Sequence, residues 1–181
     1  MKMRDYINAD KNRYGISYHF WNMPIQLKFL IAFRKAQNSK SFLRFFYRMK
    51  LNHLRKKTGN EIFSHCSIGY GLYLGHIGPR YIHEDAIIGN NCNINQNVTI
   101  GKENRGKRKG TPVIGNKVWI GANAIVVGKI VIGDDVMIAP GAFVNFDVPS
   151  HSLVIGNPAI TKEKADATEG YINNISIIKQ K

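Results

Sequence analysis

The groups in this 181-residue sequence that could do acid, base or nucleophilic chemistry are six histidines, two cysteines and a small set of carboxylates. His76 stands apart from the rest. In GLYLGHIGPRY, residues 71–81, it lies between Gly75 and Gly78, inside a run that otherwise reads as the wall of a repetitive β structure. An imidazole titrates near neutrality, so it can take a proton from an attacking hydroxyl and return it to a leaving group. His83 with Glu84 forms a second candidate acid–base pair, with His65 nearby in sequence. His19, His53 and His151 fall in the N-terminal part or a closing turn and read as surface residues. Cys66 and Cys92 lack CxxC spacing and read as core fillers rather than nucleophiles.

The elements that must hold these groups show themselves by rhythm. Aliphatic residues recur every six positions at Ile62, Ile68 and Leu74, at Ile82, Ile88, Ile94 and Ile100, and at Ile114, Ile120, Val126, Ile132, Ile138 and Val144. Small or β-branched residues such as Cys66, Cys92, Val98, Val118, Ala124, Val136 and Ala142 fall between them. One short strand per hexad with an inward aliphatic, a turn and a second small inward residue predicts a stacked β-solenoid of four to five coils. The count breaks twice. Leu74 and Ile82 are eight apart, with His76 inside that step, and Ile100 and Ile114 are fourteen apart around the basic, glycine-rich KENRGKRKGTP. Insertions leave a solenoid as loops at a corner, often on its binding face.

Before Thr58, the stretches PIQLKFLIAFRKAQ and SFLRFFYRMKLNHLRKK carry apolar residues at helical spacing and predict two amphipathic helices starting near Pro24 and Ser41. The sequence divides into a basic, aromatic-rich helical region (1–60), a β-solenoid (61–160, with an extended loop at 102–113) and a tail (161–181). Residues 1–60 hold fourteen Lys and Arg against Asp5 and Asp10, which is +12 of a net +14. Such asymmetry fits an anionic partner: a membrane surface, nucleic acid or an acidic substrate. No nucleic-acid-binding motif accompanies the charge. No run of 18 apolar residues and no secretory h-region occurs, so a cytoplasmic setting is expected, with peripheral contact at the inner membrane face open to residues 1–60.

The segments EIFSHCSIGYGLYLGH, AIIGNNCNINQNVTIG, VIGNKVWIGANAIVVGKIVIGDDVMIAPGAFV and VPSHSLVIGNPA resemble hexapeptide-repeat acyltransferases, in particular serine acetyltransferases and O-acetyltransferases for surface polysaccharides. That resemblance implies a mainly β fold, a left-handed parallel β-helix with a short helical region, and a homotrimer. It implies His76 as general base and Glu61, fifteen residues earlier, in the place of the family's supporting acid. Acetyl-CoA is the implied co-substrate, with Gly101, Gly121, Ala122, Ala139 and Pro140 at cofactor contact positions and Gly75 and Gln96 on the acceptor side. Lys102, Arg105, Lys107, Arg108 and Lys109 could grip phosphates. No metal is implied: the spacing of His65, His76 and His83 does not match the zinc hydratases that share such a fold.

Two departures bear on the acceptor. Serine acetyltransferases carry Asp just before the histidine and Arg-His-Pro at the end of the loop, where this sequence has Gly75 and Gly110-Thr111-Pro112. With those ionic partners missing, the sequence favours a neutral sugar hydroxyl in surface-polysaccharide synthesis, with serine as the alternative acceptor.

Overall fold

In the computed structural model, residues 2–15 and 21–178 are described; His19 lies outside them. Three helices, α1 (Met3–Arg13), α2 (Ile25–Asn38) and α3 (Ser41–Thr58), precede a three-sided β-solenoid. Helices α2 and α3 lie where the apolar spacing puts them; α1 has no apolar stripe and was not expected. Among the described residues no helix is long and apolar enough to cross a membrane.

The chain winds so that every third strand returns to the same side. One face is built from Asn60–Glu61, Arg80–Ile82, Thr99–Gly101, Ile125–Val127 and Phe143–Val144. The second holds Ser67–Ile68, Ile87–Ile88, Val113–Ile114 and Val131–Ile132. The third runs through Tyr73–Leu74, Asn93–Ile94, Trp119–Ile120, Val136–Ile138 and Ser152–Ile155, and closes with Ile160–Glu163, which pairs antiparallel. The other pairings are parallel and keep the hexad aliphatics in columns: Ile62, Ile82, Ile100, Val126 and Val144 stack on the first face, all fully buried. Side chains alternate across a strand, so the residue before each buried aliphatic faces outward, as Glu61, Tyr81 and Thr99 do.

The helices cap the first coil. Leu27, Phe29, Leu30 and Phe33 of α2 are buried, and Arg34 beside them is wholly buried against Asp10 of α1 at 2.8 Å. The same guanidinium donates to the carbonyl of Ile68 at 2.8 Å, and Asp10 accepts from the Leu72 N–H at 2.9 Å. A buried charge is tolerable only when paired and fully bonded; here the pair also ties two helices to the solenoid. The outer face of α3 is different: Phe42, Leu43, Phe45, Phe46 and Met49 are all exposed.

Beyond Glu163 the chain doubles back along the third face as a strap. Asp135 receives the N–H of Ala167 and the N–H and hydroxyl of Thr168; Asn93 donates to the Tyr171 carbonyl at 2.9 Å; Asn91 makes a two-way amide contact with Ser176. Arg13 joins this seam from α1, donating to Asn173 and Gly71 carbonyls and to Asn93 Oδ1.

Candidate active site

The corner between the third and first faces gathers most of the residues singled out in the sequence. Because Leu74, Ile94, Ile120, Ile138 and Val154 are in register, the next residues stack as Gly75, Asn95, Gly121, Ala139 and Ile155, and the ones after as Gln96, Ala122 and Pro140, with Gly78 lying against Gln96 in the first coil. In the two coils below Asn95 and Gln96, these positions hold only small residues, Gly121, Ala122, Ala139 and Pro140. Gly121 is fixed by the approach of the coil below it, since a Cβ there would lie 2.5 Å from the Pro140 nitrogen.

In a regular coil this corner takes four residues, as from Asn95 to Val98 between Ile94 and Thr99. The first coil takes six, from Gly75 to Arg80, so the chain bulges outward and His76 and Ile77 are exposed. Gly78 has φ +152°, and a Cβ on it would lie 2.7 Å from Gln96 Cβ, so the bulge sits directly over Gln96. Gln96 Oε1 is buried without a hydrogen-bond partner among the described residues. Buried acceptors are rarely left so.

Glu61 is not stacked beneath His76. The first coil is longer than three hexads: Asn60 pairs with Arg80 and Glu61 with Tyr81, twenty residues on, so a fifteen-residue spacing falls short of a full turn. Glu61 points outward from the first face and shares a cleft of about 300 Å³ with Pro79, Arg80 and Tyr81 at the foot of the bulge. No hydrogen bond joins it to His76 among the described residues.

Gly101 lies elsewhere, at the opposite edge of the first face, where the loop 102–113 leaves the solenoid. That loop folds on itself through paired backbone bonds between Glu103 and Gly110, and it is held by Lys102 near Asp85 and by Thr111 donating to the Asp85 carbonyl. A face width therefore separates the basic loop from His76 of the same chain. The second candidate pair is rearranged: Glu84 meets His65 instead, while His83 Nδ1 accepts the Asp85 N–H at 3.1 Å. Cys66 and Cys92 are fully buried; burial pushes both thiols up, Cys92 to about 12, which removes the thiolate a nucleophile needs.

One residue escaped the sequence reading. Arg80 occupies an inward slot that holds Val98, Ala124 and Ala142 in later coils, and it is 1% exposed. Its guanidinium donates to the carbonyls of His76 (2.7 Å), Gly78 (2.9 Å) and Ile94 (2.9 Å) and to Asn60 Oδ1 (3.2 Å). No carboxylate pairs with it among the described residues; burial pulls its pKa down to about 10 while Tyr14 and Tyr73 push back, so it stays cationic at neutral pH. A charged residue in a small-residue slot was the available signal.

Comparisons with known proteins agree with this architecture. Residues 111–145 match the family model described as bacterial transferase hexapeptide (six repeats). The serine acetyltransferase of Helicobacter pylori is 37% identical over 138 residues, covering 75% of this chain and 81% of its own. That of Synechococcus elongatus is 41% identical over 109 residues, 60% of this chain, which spans only 45% of that longer relative. Among solved structures, the Neisseria gonorrhoeae serine acetyltransferase in complex with serine has a TM-score of 0.66 at 30% identity, covering 87% of this chain and 68% of that one. The soybean enzyme complexed with serine has 0.70 at 25%, covering 89% and 70%.

These relatives overturn the preference for a sugar hydroxyl in surface-polysaccharide synthesis. That preference rested on the missing Asp and Arg-His, and the structure gives a local reason for the first: a Cβ on Gly75 would lie 2.7 Å from Asn95 Oδ1, so the amide of the next coil already occupies that space.

Proposed function

This chain belongs to the serine acetyltransferase family, and from that membership we propose that it transfers the acetyl group of acetyl-CoA to the hydroxyl of L-serine. The observation that carries the proposal is the corner where the bulge bearing the exposed His76 sits on Gln96, whose Oε1 is buried and unpartnered among the described residues, with the small residues Ala122 and Pro140 in the coils below. Small side chains let an extended pantetheine arm approach the backbone closely.

In the proposed reaction His76 takes the proton from the serine hydroxyl as its oxygen attacks the thioester carbonyl carbon. The tetrahedral intermediate collapses, the C–S bond breaks, and the departing thiolate recovers the proton from the imidazolium. The products are O-acetylserine and free coenzyme A, with no acyl-enzyme. Glu61, in the cleft at the foot of the bulge, is proposed to support the imidazolium, and Gly75 and Gln96 to face the acceptor. Gly101, Gly121, Ala122, Ala139 and Pro140 are proposed to border the cofactor.

Since the basic loop leaves the far edge of the first face, a cyclic trimer would bring one subunit's loop to the next subunit's His76. We therefore assign Lys102, Arg105, Lys107, Arg108 and Lys109 to a neighbour's site in a cytoplasmic homotrimer. The exposed apolar face of α3, flanked by Arg44, Arg48 and Lys50 on a helix without any carboxylate, supports peripheral contact with an anionic bilayer. Sedimentation with phosphatidylserine vesicles tests this. Binding lost in high salt and in Phe45→Ser/Phe46→Ser supports it, and no binding at low salt removes it.

The decisive experiment for the activity is thiol release from acetyl-CoA with and without L-serine. Serine-dependent release, with O-acetylserine as product, is expected; release no faster than with buffer alone overturns the assignment.

A further inference from the structure

We infer that Arg80 is the positioning residue that gives the His76 bulge its shape. The inference rests on the proposed role of His76, but its physical basis is independent of any substrate. Inserting two residues at a solenoid corner adds two backbone carbonyls that no neighbouring strand is placed to receive. Buried or half-buried carbonyls need donors. The guanidinium supplies them within the same insertion, donating to His76 O and Gly78 O while a third bond, to Ile94 O, fastens the assembly to the coil below. Asn60, in register in the coil above, takes the remaining contact.

Stability alone does not ask for an arginine here. The same column is filled by Val98, Ala124 and Ala142 where the corner is regular, and burying a cation without a carboxylate partner is costly. What the arginine does that valine could not is hold the main chain of His76 from beneath. Lysine would keep the charge but has one donor head in place of a planar fork, so it cannot reach carbonyls on both sides of the bulge and the coil below at once.

The test compares Arg80→Met and Arg80→Lys with the parent, using Asp135→Asn, at the strap, as a control that lowers stability away from this corner. We expect kcat with serine to fall on the order of 10²-fold in Arg80→Met, the scale of a misplacement of about 1 Å, and about tenfold in Arg80→Lys. KM for acetyl-CoA should stay within about twofold, because the small-residue column is untouched. Asp135→Asn should melt earlier with kcat unchanged. In substrate-free protein the ring Cε1–H resonance of His76, assigned by its loss in His76→Ala, should be one narrow line in the parent and broadened or doubled in Arg80→Met. A folded Arg80→Met with kcat within about threefold of the parent and a single narrow line overturns the inference. If Arg80→Met does not fold, Arg80→Lys decides: unchanged kcat and line shape overturn it. A parent that releases no thiol with serine sinks the assigned activity instead, and the resonance then decides Arg80 by itself.

Discussion

Two corners of the same prism have been put to opposite uses. At the corner that leads into the third face, Gly71, Asn91, Lys117, Asp135 and His151 stack in the left-handed backbone region, and the strap and α1 cover Gly71, Asn91 and Asp135. Asn91 and Asp135 are buried there with their polar atoms bonded. At the corner that leaves the third face, the stacked residues are Gly75, Asn95, Gly121 and Ala139 with Gln96, Ala122 and Pro140 beside them, and the one titratable ring, His76, is exposed. The first corner turns its polar groups inward on the protein's own backbone. The second keeps the side chains short and leaves an acceptor, Gln96 Oε1, unmatched. The same three-sided winding thus yields a sealed corner or an open one, depending on whether the chain lays its own tail across it.

If that division is right, changes at the open corner should alter rate and leave stability, and changes at the sealed one should do the reverse. The largest effect belongs to His76→Ala. Loss of a general base costs about 10²- to 10⁴-fold, and since the residue is exposed, the melting temperature should be unchanged. Thiol-release kinetics and thermal unfolding on one sample check both halves. Glu61→Gln comes next: with no bond to His76 in the resting structure, its removal should slow turnover by roughly tenfold, well short of the loss of the base itself.

Asp135→Asn probes the sealed corner. Burial acts to raise this carboxyl, but the Thr168 hydroxyl, His151, the Thr168 N–H and Lys117 together bring it down to about 2 from the usual 3.8. A folded pKa below the unfolded one contributes stability that is present above the unfolded value, near pH 4, and is lost as pH falls through the folded value, near pH 2. The contribution at neutral pH is about 2 kcal/mol. Asp135→Asn should therefore lower stability by about that amount at pH 7, flatten the acid limb between about pH 4 and pH 2, and expose the strap to protease, with kcat for serine acetylation intact. A variant that is as stable as the parent but slow would dissolve the distinction between the two corners.

The sequence made the open corner easier to find than the sealed one. A solenoid repeats its inward aliphatic every six residues because each side has the same length, so Ile62 through Val144 announce the fold and an eight-residue step announces the bulge at His76. The helices α2 and α3 were legible through the same kind of periodicity. Helix α1 and the strap were not, since their attachment uses Asp10, Arg13, Asn91, Asn93 and Asp135 bonding to main chain, and such pairings have no period. Glu61 shows the limit of counting: fifteen residues is near the length of a regular coil, but the insertion lengthens this one to twenty. The acceptor was misread for a related reason. The absence of charge at Gly75 and at Gly110-Thr111 points away from an amino-acid acceptor, whereas at Gly75 the next coil's Asn95 fills the space.

The finest distinction concerns the open corner's emptiness itself. If the column of small residues exists to admit the cofactor, then filling it should impair acetyl-CoA binding without disturbing the core. Ala122 suits this, because it is only partly buried and stands one coil below Gln96, whereas Gly121 beside it cannot take even a methyl group without striking Pro140. Ala122→Phe should raise KM for acetyl-CoA by about tenfold, equivalent to about 1.4 kcal/mol, with KM for serine and the melting temperature little changed. Unaltered acetyl-CoA kinetics in a folded Ala122→Phe enzyme would mean that the cofactor runs elsewhere, and that the small residues at this corner serve only the close stacking of the coils.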